Sequence, residues 1–211
     1  MILYLAELKD LTENDYEKFL ALMSDSRRDA LLRMRIENDR KRTVLGEMLA
    51  RRAISEQTGL EIDKISILRA ENGKPYCENA DIHFSISHSK ERVVCAVSEQ
   101  PLGVDTEKIR FTEPRITRAC CVGSDFSYIF GNSDQDVQTL NDEQLERFFT
   151  LWTAKEAYCK YTSVGVTGMK HITLADIMPY CKIIKDNGFV TAIYSPKNDY
   201  ELKITDLRRC E

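Results

Sequence analysis

No stretch of this 211-residue chain approaches the roughly 20 consecutive apolar residues that a membrane-spanning helix needs, so no membrane association is expected. The first residues, MILYLAELKDLTEN, place acids close behind a short apolar run; with neither a basic lead nor a small-residue cleavage site, no secretory signal is expected. CxxC pairs are also missing. Cys77, Cys95, Cys120, Cys121, Cys159, Cys181 and Cys210 are odd in number, which argues against a disulfide framework and a zinc ribbon and leaves reduced, mostly buried small hydrophobes. These absences give a soluble, cytoplasmic protein as the expectation. There is no low-complexity tract, no obvious repeat, and neither of the glycine-rich phosphate loops GxxxxGK[ST] and GxGxxG.

What is present bounds the fold. At 43% hydrophobic content the chain can bury a real core, as one large α/β domain or two small lobes. The net charge of −4 argues against general binding of nucleic acid or membrane. Its distribution is uneven, since residues 22–52 hold nine bases against five acids, a local +4 that leaves −8 elsewhere. Segregation of this kind suits one anion-binding surface, or else a solvated helix face laced with ion pairs.

Along the chain, residues 2–8 read as a first strand, and Thr12 with Asp15 as a capping box opening a helix with Tyr16, Phe19, Leu20 and Met23 on its apolar face. After a basic segment, Asn38 or Asp39 is expected to cap a helix with Val44, Leu45, Met48, Leu49 and Ala53 on one stripe and Gly59 as its stop. A short strand at 65–69 and a turn at 71–75 follow. The runs HFSIS (83–87), RVVCAVS (92–98) and LGVDTEK (102–108) read as strands, the second covered on both faces. Residues 112–139 are poorly patterned, with 124–139 expected to be an irregular loop. Asn141 with Gln144 opens a long helix ending near Gly165, and the tail returns to strands at 188–195 and 200–207.

The chemistry begins with Asp105 and Glu107, two apart on a strand, so both carboxylates leave one face while Val104 is buried on the other. Such a pair repels itself unless a cation lies between, and Mg²⁺ favours hard oxygen ligands of this kind. In WTAKEAYCK, Trp152, Glu156 and Lys160 share a helix face, and the stripe Leu145, Phe148, Phe149, Trp152 carries Glu156 toward the interior, where it needs a partner. Ser87 and His88 end the SISHS strand, and Gly73-Lys74-Pro75 is a rigid turn presenting an ammonium.

The ordered set GKP, SISHS, GVDTE, WTAKEAYCK resembles the Sfp-type phosphopantetheinyl transferases, which activate carrier proteins of polyketide, nonribosomal-peptide and fatty-acid synthesis. RKRTVLGEMLARRAIS (40–55) is similar to the family's basic helix, so the resemblance spans about residues 24–165. It implies an α/β (α+β) fold of two similar lobes related by a pseudo-twofold axis, here divided as 1–100 and 101–211. It also implies Mg²⁺-dependent transfer of the phosphopantetheine arm of coenzyme A, the co-substrate, to a serine of an acyl or peptidyl carrier protein, releasing 3′,5′-ADP, by a monomeric enzyme. By the same resemblance Asp105, Glu107 and Glu156 hold the metal and Lys160 lies near the pyrophosphate. Ser87 and His88 grip the nucleotide's phosphates, while Arg27, Arg42, Thr43 and the Gly73-Lys74-Pro75 turn contact coenzyme A. Glu156, or a water held by the metal, is the candidate base.

This chain departs from the family pattern in two places. Cys120-Cys121 stands where the family has Phe-Phe, with Asp125 in place of a glutamate, in a region that receives the carrier protein. Position 30 is alanine where some members have a second lysine, so Arg28 or Arg33 is expected to supply that phosphate contact. Two other classes compete. A nucleotidyl transferase with a DxE pair calls for a glycine-rich loop or a third strand carboxylate, and an RNA-binding module calls for aromatics among the bases, yet residues 24–52 contain no Phe, Tyr or Trp.

Overall fold

The computed structural model describes residues 1–131, 138–197 and 201–206. Cys210, residues 132–137 of the expected irregular stretch, and Tyr200 and Leu207 of the expected tail strand lie outside the described residues. In chain order the elements are β1 (Ile2–Glu7), α1 (Glu13–Ala21), α2 (Asp25–Leu32), α3 (Glu37–Thr58), β2 (Ile67–Arg69), β3 (Pro75–Cys77), β4 (His83–Ser89), β5 (Arg92–Ser98), β6 (Gly103–Lys108), α4 (Pro114–Cys120), α5 (Asp125–Phe130), α6 (Asp142–Thr162), α7 (Leu174–Ile177), β7 (Cys181–Asp186), β8 (Phe189–Tyr194) and β9 (Lys203–Asp206). This is an α+β fold, and it divides into two compact units, residues 1–102 joined by β9, and residues 103–198.

In the first unit, α3 packs on a sheet of order β4-β5-β1-β9. Its stripe Val44, Leu45, Met48, Leu49, Ala53 is buried to 1% exposure or less, and Phe19 of α1 joins the same core. Gly59 ends α3 at φ +74°, a left-handed conformation that glycine adopts without a Cβ penalty. The start of α3 differs from expectation. It begins at Glu37 with Ile36 at the cap position and no side-chain cap, so Asn38 and Asp39, the expected caps, fall inside the first turn, where Asp39 pairs with Arg42. The basic segment ahead of it folds into α2, which buries only Leu31.

The tail strand also corrects the expected division. β9 lies parallel to β1, pairing Ile2 with Lys203 and Leu5 with Asp206, so it belongs to the first unit's sheet. β5 pairs one edge of β1, and β9 covers the other, which would otherwise present unpaired backbone groups.

The second unit packs α6 on an antiparallel sheet of order β6-β8-β7. Asn141 and Gln144 form the expected capping box, and Phe148, Phe149, Leu151, Ala154 and Ala157 bury the inner face of the helix. At Gly103 the strand and helix backbones nearly touch: a Cβ there would lie 2.0 Å from the Ala157 carbonyl oxygen and 2.7 Å from the Tyr161 nitrogen. The stretch expected to be irregular holds α4 and α5. Pro114 sits in the first turn of α4, where its missing N–H costs nothing, and Ile129 and Phe130 of α5 are buried.

Candidate active site

Five of the predicted coenzyme A residues, Arg27, Arg42, Thr43, Pro75 and His88, line one cavity of about 580 Å³ in the first unit. They come from α2, α3, β3 and β4. Lys74 lies with Pro75 on a second, smaller cavity of about 210 Å³. Gly73 takes φ +82° in the β2–β3 turn, which closes with the Gly73 N–H donating to the Ala70 carbonyl at 2.8 Å. Burial holds the Lys74 ammonium below the usual lysine range. Ser87 is buried on β4, at 6% exposure.

The basic segment that the sequence singled out is mostly ion-paired: Arg28 with Asp25, Lys41 with Glu37, Arg42 with Asp39, Arg51 with Glu47 and Arg52 with Asp15. Only Arg27 and Arg42 of that segment reach the large cavity. The expectation that Arg28 or Arg33 replaces the lysine missing at position 30 is not met. Arg28 is turned to Asp25, and neither side chain lines the cavity that Ala30 faces. Sequence reading missed Arg51 as well. Almost fully buried, it donates to Glu47 Oε1 at 2.8 Å, the Ile65 carbonyl at 2.7 Å and the Leu22 carbonyl at 2.8 Å, tying α3 to the chain that leads into α2 and β2.

The second unit assembles the acidic group. Strand alternation sends Asp105 and Glu107 to one face, while α6 carries Glu156 and Lys160 one turn apart. Lys160 Nζ donates to Asp105 Oδ1 at 2.8 Å and to the Val104 carbonyl at 3.0 Å. Glu107 receives Arg110 at 2.7 Å, and the Arg110 guanidinium lies 5.3 Å from the Phe149 ring centre. Glu156 is half-buried. Burial raises its proton affinity above the usual glutamate range, the charges of Asp105 and Glu107 push the same way, and Lys160 opposes them. Three carboxylates thus feel one another, and two of them are answered by cations of this chain.

Those carboxylates are the hard oxygen donors that Mg²⁺ favours, and their mutual repulsion is what a divalent cation relieves. Among the described residues, however, no three acidic, histidine or cysteine side chains close on one point as they stand. The donor chemistry fits magnesium, which commonly takes only one or two carboxylates and completes its shell with substrate phosphate and water.

Asp125 proves structural in its contacts. It is fully buried against Lys155 at 2.5 Å and accepts from the Val122 and Leu174 N–H groups at 2.9 and 2.7 Å, locking α5 to α6 and α7. The six described cysteines are free thiols, and burial pushes Cys121 and Cys159 to about 11 and Cys181 to about 12, which keeps them protonated and unreactive. No helix among the described residues is long and apolar enough to cross a membrane.

The chain matches two family models, one described as 4′-phosphopantetheinyl transferase, N-terminal, over residues 10–100, and one as the 4′-phosphopantetheinyl transferase superfamily, over residues 101–204. It is 29% identical over 214 residues to the 4′-phosphopantetheinyl transferase Sfp of Bacillus subtilis (strain 168), covering 93% of this chain and 92% of that protein. Another 4′-phosphopantetheinyl transferase of Bacillus subtilis is 32% identical over 161 residues, covering 75% of this chain and 68% of the relative. The 4′-phosphopantetheinyl transferase HetI of a Nostoc species is 26% identical over 172 residues, covering 79% and 70%. Two models that together span residues 10–204, with the ordered motifs seated as described, show that the chain belongs to the 4′-phosphopantetheinyl transferase superfamily.

Proposed function

We propose that this chain, acting in the cytoplasm as a monomer, transfers the phosphopantetheine arm of coenzyme A to a serine of an acyl or peptidyl carrier protein in a Mg²⁺-dependent reaction that releases 3′,5′-ADP. The observation that carries the reading is the acidic group on β6 and α6, where Glu156 is driven toward its protonated form beside Asp105 while Lys160 is fixed on Asp105 and the Val104 carbonyl.

Each side chain then has a task. Glu156, with its proton affinity raised, is a stronger base than an ordinary carboxylate and takes the proton from the carrier's serine hydroxyl as the oxygen attacks the β-phosphate. The bond from that phosphorus to the bridging oxygen breaks, and the 5′-phosphate of the leaving 3′,5′-ADP gains negative charge. Lys160 relieves that charge, held ready by Asp105 so that little reorientation is needed. Asp105, Glu107 and Glu156 would hold Mg²⁺, which when bound supplies further neutralisation of the phosphate oxygens. Arg27, Arg42, Thr43, Ser87, His88 and the Gly73-Lys74-Pro75 turn bind the nucleotide end.

Incubating the protein with coenzyme A and a panel of apo carrier proteins, with and without Mg²⁺, and weighing the carriers by mass spectrometry tests this. The expected result is one added phosphopantetheine, absent without Mg²⁺ and absent when the carrier's serine is alanine. An unmodified carrier panel would contradict it.

A further inference from the structure

Arg110 lies outside every motif that carries the family resemblance, yet it answers Glu107, one of the three carboxylates gathered on β6 and α6. Its guanidinium is fixed from three sides. Nη1 donates to Glu107 Oε2 at 2.7 Å and to the Lys108 carbonyl at 3.2 Å, and the centre of the group lies 5.3 Å from the Phe149 ring centre. Phe149 is 2% exposed and packs in the core of the second unit, so its ring is a rigid shelf on which the cation rests. The backbone is tied down as well, since the Thr112 hydroxyl donates to the Arg110 carbonyl at 3.3 Å. Glu107, Arg110 and Phe149 line one open cavity of about 340 Å³, through which ions of the solvent reach the carboxylate.

We infer that Arg110 is a positioning residue for the metal: anchored by Phe149 and the Lys108 carbonyl, it keeps hold of one oxygen of Glu107 and so holds that carboxylate ready for the divalent cation. The inference rests on the transferase reading and adds to it a residue that sets metal affinity. Two effects of opposite sign compete here. The positive charge of Arg110 repels a divalent cation, and an arginine that merely neutralised Glu107 would have to leave for the metal to enter. A donor fixed on one carboxylate oxygen instead reduces the freedom that the ligand loses on binding, and loss of such a partner costs about 10- to 100-fold in metal affinity. The geometry favours the second effect. The contact runs from one nitrogen to one oxygen and not as a two-pronged fork, so it does not claim the whole carboxylate. The guanidinium also has two anchors besides Glu107, which keep it in place when the carboxylate takes a metal.

Titration of Mn²⁺, a paramagnetic stand-in for Mg²⁺, into the parent, Arg110→Ala, Arg110→Lys and Glu107→Gln tests the assignment. Coenzyme A is present and the carrier absent, the free ion is read by electron paramagnetic resonance, and binding by coenzyme A alone is subtracted. With 48% of its side chain exposed, Arg110 can be replaced without opening the core. Arg110→Ala should bind Mn²⁺ about 10- to 100-fold more weakly than the parent. Arg110→Lys, which keeps the charge and loses the planar donors, should recover only part of that. In turnover, the Mg²⁺ concentration for half-maximal rate should rise by the same factor, with kcat at saturating Mg²⁺ and KM for coenzyme A near the parent values. Equal or tighter Mn²⁺ binding in Arg110→Ala would make Arg110 a bystander or a competing charge and overturn the inference, and so would Glu107→Gln binding Mn²⁺ as the parent does. A parent that modifies no carrier would fail the transferase reading alone, with the Mn²⁺ titration still deciding the inference.

Discussion

The two units share a plan, a helix of about twenty residues lying on a mainly antiparallel sheet, but they use charge in opposite ways. The first gathers cations from several elements around a cavity of about 580 Å³, and its pairs Arg28 with Asp25 and Lys41 with Glu37 lie toward solvent while Arg51 with Glu47 is buried. The second packs carboxylates on one strand and one helix turn, half-buried and answered by Lys160 and Arg110. Cations around an open cavity suit binding of an anion that arrives and leaves. Carboxylates held close at a loss of solvation suit chemistry in which a proton or a charge must move.

The contrast extends to how rigidly each site is built. Gly103 lets β6 approach the α6 backbone, whereas the helical glycine of the first unit, Gly46, faces side chains, Ile86 at 3.1 Å and Val93 at 3.8 Å from an added Cβ. Gly103→Ala must move backbone, so a loss of about 3 kcal/mol or more, near 10 °C in Tm, and collapse of transfer are expected. Gly46→Ala should stay within about 1 kcal/mol of the parent, because a side chain can yield and alanine favours helix. Thermal melting of both variants would blur the comparison if they fell together.

Ion pairs give a second, smaller contrast. Asp125→Asn strands Lys155 in the interior, and breaking a buried pair from one side costs about 3–5 kcal/mol, whereas Asp25→Asn, whose partner Arg28 lies on the surface, should cost less than about 1 kcal/mol. Chemical denaturation reads both. Comparable losses would place the two pairs in the same class.

The smallest expected effect is the most diagnostic in sign. Burial and the neighbouring carboxylates favour protonated Glu156, so its ionisation destabilises the folded state. The penalty is nil below the ordinary glutamate range, near pH 4, where folded and unfolded chains both hold the proton, and it is complete once pH exceeds the raised value. Glu156→Gln should therefore melt a few degrees above the parent at pH 8 without divalent cation, and the two should converge near pH 4, at about 2–4 °C per kcal/mol. A variant that melts lower at pH 8 would mean the carboxylate is held by a stabilising partner.

Legibility in the sequence followed locality. Strand alternation placed Asp105 with Glu107, and helical spacing placed Glu156 one turn before Lys160, because both arise within one element. The Asn141 and Gln144 box and the Gly59 stop were readable for the same reason. Arg69 was not, since only the β2–β3 hairpin brings it to the wall that carries Arg27. Asp125 looked like a substituted site position, yet its partner Lys155 lies thirty residues away. The helices α4 and α5, of seven and six residues, are too short for a clear period, and β9 finds β1 from the far end of the chain.

The division of labour between the units is tested most directly by kinetics and coenzyme A binding on two variants side by side. Arg27→Glu should raise KM for coenzyme A at least tenfold while leaving kcat and carrier affinity near the parent values. Glu156→Gln should lower kcat by about a hundredfold or more, within the 10²–10⁴-fold range of a lost general base, and still bind coenzyme A. Full turnover in Glu156→Gln, or a fall in kcat for Arg27→Glu as large as its rise in KM, would contradict the account.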